Sequence, residues 1–329
     1  MQNEKLIKIK GLLPGVEENI SLAEHTTFKI GGKAKYFFIA KTKEDIIKAI
    51  KAAQQGGLLF FVLAGGSNVL FSDSGFDGLV IRIQNSKLKI QNANIYIEAG
   101  AILADIVNSA RHAGLSGLEW ATGIPGSIGG AIRGNAGAFS NSIADAVKEV
   151  EVLNVKQNKK QPSVFSADDC EFSYRNSIFK KNRDLIILSV GLQLEKGDRE
   201  QIKTQTEEHI NYRKEHHPLE FPSAGSIFKN PSVENLSLAR LPAHSFPSVP
   251  LRTGKSEIPA GFLIEKCGLK GKRVDDAQIS EKHCNFIVNL GDATAKDVIE
   301  LIKLVKQEVK NNFGIELEEE IMIVENIFS

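Results

Sequence analysis

Two glycine-rich segments carry the clearest chemical signal. Ala64-Gly65-Gly66-Ser67-Asn68, with Val69 after it, follows an apolar run. Successive small residues leave backbone N–H groups turned outward as a nest for an anion such as a pyrophosphate, although the same composition also makes a tight turn. Gly123-Ile124-Pro125-Gly126-Ser127-Ile128-Gly129-Gly130, followed by Asn135-Ala136-Gly137, describes a backbone that bends repeatedly and presents bare amides, with Pro125 fixing one φ angle. It fits neither G-x-G-x-x-G nor G-x-x-x-x-G-K-[ST], so Rossmann and P-loop readings fail. A purely structural loop is the alternative, but two such loops in one domain point to a dinucleotide.

Three further segments bring polar groups together. Phe172-Ser173-Tyr174-Arg175-Asn176-Ser177 and Ser223-Ala224-Gly225-Ser226-Ile227-Phe228-Lys229-Asn230-Pro231 each set hydroxyl, amide and cationic groups beside aromatic rings. That mixture orients a polar ligand in a partly apolar pocket, whereas each Arg or Lys taken singly reads as a solvated surface charge. Ser226 has no evident histidine partner, which argues against a hydrolase triad. The acidic run Glu316-Leu317-Glu318-Glu319-Glu320 on an expected strand reads first as a wet face. Cys170, Cys267 and Cys284 contain no CxxC pair and are expected as buried free thiols. The 7 histidines form no HExxH, and no metal is expected.

The elements that must position these groups follow from periodicity. Strands are expected at 36–40, 58–63, 79–83, 95–99, 147–153 and 185–194, with a helix after Thr42, capped by Asp45 and stopped at Gly56-Gly57. A second helix spans about 102–113. Residues 123–137 are too glycine-rich for a regular element, and a polar helix over about 198–213 reads as a connector between domains. In the last third a helix at 261–266 and a strand at 286–290 precede a long helix from Thr294, boxed by Asp297. Its Val298, Ile302, Val305, Val309 and Phe313 step by three or four, and Gly314 ends it before a final strand over 315–324. The class is α+β.

The 329 residues exceed one ordinary domain. Lys and Arg number 41 against 40 Asp and Glu, so no net field draws the chain to nucleic acid or an anionic membrane, and any anion site must be local. No apolar run reaches the roughly 18 residues of a membrane span and the start is not a signal peptide, so a soluble, cytoplasmic monomer is expected.

Taken in order, these segments resemble the UDP-N-acetylenolpyruvoylglucosamine reductase family, the shorter-loop type. The resemblance runs from about Thr26 to Ile323 through Thr27-Phe-Lys-Ile-Gly-Gly, Gly66-Ser-Asn, Gly123-Ile-Pro-Gly-Ser-Ile-Gly-Gly, Asn135-Ala-Gly-Ala, Tyr174-Arg-Asn-Ser-Ile-Phe, Ala224-Gly-Ser-Ile-Phe-Lys-Asn-Pro, Leu269-Lys-Gly, Glu281-Lys-His-Cys-Asn-Phe-Ile-Val-Asn and Leu317-Glu-Glu-Glu. It implies an FAD-binding domain of the vanillyl-alcohol-oxidase (PCMH) type over 1–205, then an α/β substrate-binding domain over 206–329 whose last strand returns to the flavin. FAD would lie non-covalently on Ala64 to Val69, Gly123 to Ser127, Gly129, Gly130 and Asn135 to Gly137. NADPH would be the co-substrate and UDP-N-acetylglucosamine enolpyruvate the acceptor, reduced to a precursor of peptidoglycan. Ser226 would protonate the α-carbon, Arg175 and Glu320 would stabilise the enolate-like intermediate, and Tyr174, Lys229, Asn230, His283 and Asn285 would face the substrate.

The implied chemistry is physically coherent. Hydride addition to an enolpyruvyl double bond pushes negative charge onto the α-carbon and its carboxylate, which calls for preorganised donors. Arg175 can meet a carboxylate bidentately. Glu320 could help only when protonated or through a water, and a serine hydroxyl can deliver a proton to a strongly basic carbanion at short range. Ala64 stands where a first glycine is expected, Gly134 replaces a bulkier residue and Asp275-Asp276 a glycine-containing pair. No tyrosine-bearing loop fits between Leu194 and Arg213, while Ser232 to Pro259 is longer than expected. Two rivals stand beside this reading. Another flavoprotein oxidoreductase of the same fold with covalent FAD would want a His or Cys in the flavin loops, which hold neither. A non-catalytic sugar-nucleotide binder would have no use for Arg175, Ser226 and Glu320 together.

Overall fold

A computed structural model describes residues 9–157, 161–232, 249–250 and 256–325. The chain opens with β1 (Glu17–Ser21), β2 (Lys33–Ala40), helix α1 (Lys43–Gln55), β3 (Phe60–Leu63), β4 (Val69–Phe71) and β5 (Phe76–Ile83). β2 and β3 flank β5 in parallel, and β1 lies antiparallel at the edge. The expected capping box of Thr42 and Asp45 starts α1, and Ile46, Ala49, Ile50 and Ala53 bury one stripe of it in the core.

An antiparallel sheet follows, built from β6 (Leu88–Gln91), β7 (Asn94–Glu98), β8 (Val147–Asn154), β9 (Ser163–Ser166) and β10 (Leu185–Gln193) in the order β9-β8-β10-β7-β6. Two helices connect β7 to β8, α2 (Leu103–His112) and α3 (Ile128–Gly134). The second corrects the expectation of no regular element over 123–137. Ser127 caps α3 by accepting from Gly130 N at 3.4 Å, and Ile128, Ala131 and Ile132 are buried in the core. Gly129 allows the close approach, since a Cβ there would stand 2.9 Å from Ala99 O. Burial of three apolar side chains outweighs glycine's helix penalty of roughly 1 kcal/mol per residue.

The polar helix α4 (Arg199–His216) is capped by Asp198 as expected and continues past Arg213 to His216. Its Arg213 is buried against the loop ahead of α3. Beyond it come β11 (Ser223–Ser226), α5 (Ala260–Lys266), β12 (Ala277–Ile279), β13 (Phe286–Asn289), α6 (Ala295–Phe313) and β14 (Met322–Val324). β11, β13 and β12 pair antiparallel, and α6 lays Val298, Leu301, Ile302, Val305 and Val309 into a core that also takes Phe28, Ile30 and Leu70 from the first half. Asp73 accepts from Ala295 N at 2.8 Å and Lys296 N at 3.1 Å, tying the start of α6 to the turn after β4.

The final strand is shorter than expected. Only Met322–Val324 forms a ladder, parallel to β4, because the preceding residues 315–321 meet neighbouring chain at a single bridge, Glu319 to Phe228. Cys170 and Cys284 are buried, Cys267 is half-buried, and all three are free. Most of the 232–259 stretch lies outside the described residues.

Candidate active site

The two glycine loops touch. A Cβ on Gly65 would fall 2.6 Å from Gly126 Cα, Ser67 Oγ donates to Pro125 O at 3.0 Å, and Gly66 and Gly126 hold φ of 67° and 119°, which only glycine adopts without strain. Among the described residues the backbone N–H groups of Gly65, Gly66, Ser67 and Asn68 donate to no protein acceptor. Thr122 Oγ1, one residue before Gly123, is buried with no hydrogen-bond partner among the described residues. A row of open amides and an unsatisfied hydroxyl suit a diphosphate-bearing ligand, so the residues present fit FAD. The Ala64 side chain faces the second loop, its Cβ 4.0 Å from where a Cβ on Gly130 would stand. Asn135, in contrast, uses its amide within the protein, donating to Ser173 O at 2.8 Å and accepting from Ala144 N at 3.2 Å. It anchors the Tyr174-Arg175 turn to the loop.

That turn carries Arg175 at φ 50°, closed by Ser173 N to Asn176 O and Asn176 N to Ser173 O. The guanidinium reaches in two directions. Nη2 donates to Gly137 O at 2.7 Å, and Nε lies 2.9 Å from Glu320 Oε1, with both side chains about one-fifth exposed. Glu320 in turn is fixed by its backbone. Its N–H donates to Ile227 O at 2.7 Å, its carbonyl accepts from Asn68 Nδ2 at 3.2 Å, and Met322 N donates to Asn68 O at 3.0 Å. Ser226 directly precedes Ile227. Gly225, at φ 76°, interrupts the register of β11 on β13 between Ser223 and Ser226, a bulge that frees Ser226 from strict strand alternation. Arg175 and Glu320, far apart in sequence, therefore meet directly, and Ser226 is tied to them through its chain neighbour Ile227, whose carbonyl receives Glu320 N–H.

The other expected residues divide. Tyr174 lies under the Arg175 guanidinium at 5.2 Å, its hydroxyl accepts from Asn230 N at 3.3 Å, and burial pushes its phenol up. Lys229 pairs with Glu318 at 2.7 Å. Asn230 Oδ1 accepts from Ala260 N. Asn285 is wholly engaged inside the protein, its side chain accepting from Phe228 N at 2.9 Å and donating to Phe228 O at 2.8 Å, which makes it a scaffold for the Ser226 segment. His283 Nδ1 accepts from Asn285 N, and its ring meets His217 and Phe286 edge-on. Two residues escaped the sequence reading. Arg213 donates from Nε to Thr122 O at 2.8 Å and packs where a Gly123 side chain would stand, holding the second glycine loop. Glu257 is buried beside Tyr174 and Asn230, and burial raises its carboxyl despite their hydrogen bonds. Nothing in their local spacing marks either one.

Comparison with known proteins agrees with this geometry. The family described as "FAD binding domain" matches residues 34–157, and "UDP-N-acetylenolpyruvoylglucosamine reductase, C-terminal domain" matches 217–324. The UDP-N-acetylenolpyruvoylglucosamine reductase of Clostridium botulinum (strain Alaska E43 / Type E3) is 38% identical across 94% of this chain and 93% of its own length. That of Caldanaerobacter subterraneus subsp. tengcongensis is 39% identical, covering 93% and 92%. The crystal structure of UDP-N-acetylenolpyruvylglucosamine reductase from Thermus caldophilus superposes with a TM-score of 0.74 at 34% identity, over 94% of this chain and 99% of that one.

Proposed function

The chain belongs to the UDP-N-acetylenolpyruvoylglucosamine reductase family, and from that premise we propose how its own residues perform the reaction. The protein is an FAD-dependent oxidoreductase that reduces UDP-N-acetylglucosamine enolpyruvate with NADPH, a step of peptidoglycan synthesis. Bound FAD supplies a hydride, received from NADPH, for the β-carbon of the enolpyruvyl group. The loops 64–69 and 123–130 hold that cofactor, with Arg213 and Asn135 bracing them. Arg175 meets the enolpyruvyl carboxylate with the part of its fork not engaged by Gly137 and Glu320. Glu320 orients the guanidinium as its ion-pair partner and reaches the substrate through Arg175 or a water. Ser226 gives its hydroxyl proton to the α-carbon and regains one from solvent. Tyr174, Lys229 and Asn230 line the substrate side, while Asn285 and His283 position the strand that carries Ser226.

The observation that carries this reading is the Arg175–Glu320 pair, with the Glu320 backbone bonded both to Asn68 of the first glycine loop and to Ile227, the residue after Ser226. A main core confined to residues 9–194 supports a flavin-binding unit over 1–205, and a second core drawn mostly from 224–321, joined by Phe28, Ile30 and Leu70, supports a substrate-binding unit over 206–329. No helix among the described residues is long and apolar enough to cross a membrane, and we place a monomer in the cytoplasm, testable by sedimentation and by fractionation. The decisive experiment reduces the protein's flavin anaerobically with NADPH, then adds the enolpyruvyl sugar nucleotide. Wild type should reoxidise. Ser226→Ala should keep its flavin and the NADPH half-reaction but lose about 10²- to 10⁴-fold in reoxidation. Unchanged reoxidation in that variant removes Ser226 from the mechanism.

A further inference from the structure

Near Arg175, two cations have no carboxylate ion-pair partner among the described residues. Lys180, in the short helix Ile178–Lys181, donates from Nζ to Arg175 O at 3.1 Å and feels Lys229, Glu320, Arg133 and Arg175 electrostatically. Burial first, and Lys229 next, hold its ammonium below the ordinary lysine range. Arg133, on α3, is brought down to about 10 by burial and by Arg183, and its carbonyl accepts from Ser177 Oγ at 2.7 Å, joining α3 to the start of the Lys180 helix. Among the described residues neither cation forms an ion pair.

The surplus matters because the flanking pairs are already matched, and the remaining carboxyl nearby, Glu257, is pushed toward its neutral form by burial. Arg175 pairs with Glu320 and Lys229 with Glu318. A substrate carboxylate arriving at Arg175 therefore meets a guanidinium whose charge Glu320 has largely offset, and reduction then drives a second negative charge toward that carboxylate. A site that stabilises this build-up must hold net positive charge before the reaction begins, because charge fixed in place costs nothing to reorient.

We propose that Lys180 supplies that charge: seated on the Arg175 carbonyl, it offsets Glu320 and makes the pocket selective for a ligand bearing a carboxylate. This rests on the function read above. Arg133 lies behind it and adds to the same field. Lys180 also pins the left-handed backbone of Arg175, so the test must separate charge from scaffolding.

The holoenzyme and its Lys180→Met and Lys180→Arg variants are compared for binding of UDP-N-acetylmuramate, which carries the carboxylate, and UDP-N-acetylglucosamine, which lacks it. Binding is read by calorimetry and bound flavin by absorbance. Lys180→Met is expected to keep its flavin and to weaken UDP-N-acetylmuramate roughly ten- to a hundredfold, the loss of one nearby fixed charge acting through space, with UDP-N-acetylglucosamine unchanged. Lys180→Arg should restore most of the difference. Equal weakening of both ligands, or of neither, overturns the proposal, and Lys180→Gln carries the same test should the Met variant not fold. Failure of wild type to turn over the enolpyruvyl nucleotide, with the binding difference intact, would count against the assigned reaction and not against Lys180.

Discussion

Replacing Arg175 by Lys separates the two jobs of its side chain. The guanidinium spans from Gly137 O in the flavin loop to Glu320 Oε1, at 2.7 Å and 2.9 Å. A lysine ammonium is a point charge on a flexible stem and cannot hold both contacts while also facing a carboxylate. The Nε–Glu320 contact is an ion pair without hydrogen-bond geometry. The loss counted is therefore one charge-assisted hydrogen bond from the guanidinium to the substrate carboxylate, roughly 1.5–3 kcal/mol, of which solvent recovers little because the side chain is only about one-fifth exposed. At about 1.4 kcal/mol per decade this is a ten- to hundredfold loss of rate. It should fall on one half-reaction only. In anaerobic stopped-flow, flavin bleaching by NADPH should stay near wild type while reoxidation by the enolpyruvyl nucleotide slows. Equal slowing of both halves would mean that Arg175 acts through Gly137 on the flavin loop, and the assignment of the guanidinium to the substrate carboxylate would be wrong.

Three further outcomes follow from particular contacts. Gly65→Val places a side chain where Gly126 Cα already lies 2.6 Å from a Cβ, so the protein should purify nearly colourless, with flavin content by acid release as the check and full yellow colour as the refuting result. Asn285→Ala strands the buried N–H and C=O of Phe228, which should cost roughly 1–3 kcal/mol per group in denaturant unfolding and slow reoxidation, with unchanged stability counting against the clamp. Burial and then His283 depress His217 to about 4. The unfolded chain therefore binds more protons below pH 6.5, and the stability this neutral ring contributes is present above that pH and lost as pH falls toward 4. His217→Phe should flatten the unfolding free energy between pH 7 and pH 5, where wild type should lose about 1–3 kcal/mol.

Where one face of an element is buried, the sequence was legible. The capping boxes of Thr42 with Asp45 and Thr294 with Asp297, the stripe of α6 and the apolar runs of β2, β3, β5, β8 and β10 all report local burial, and each formed within a few residues of its expected bounds. The misses share one cause. α3 was hidden because glycine's weak propensity was read without the neighbours that bury Ile128 and Ile132. The 315–321 stretch alternates like a strand, with Ile315, Leu317 and Ile321 buried, but a ladder also needs a neighbour and only a bridge at Phe228 was there. Arg213 looked like the solvated end of a polar helix because its acceptors, Thr122 O and Trp120 O, lie ninety residues away.

The site was less legible than the fold for a reason visible at Asn68. One residue of the flavin loop receives Met322 N–H on its carbonyl and donates its side-chain amide to Glu320 O. These two bonds fix the segment that also donates Glu320 N–H to Ile227 O, next to Ser226. The position of Glu320, the Ser226 segment and the first glycine loop is thus a single backbone arrangement closed over more than 250 residues, and spacing within any one segment carries no trace of it. Residue types could nominate Arg175, Ser226 and Glu320 as partners only through their joint order along the chain. That coupling also gives the arrangement a signature: Asn68→Ala should shift Glu320 without touching the substrate pocket directly, so reoxidation by the enolpyruvyl nucleotide should fall even in preparations whose flavin content is unchanged.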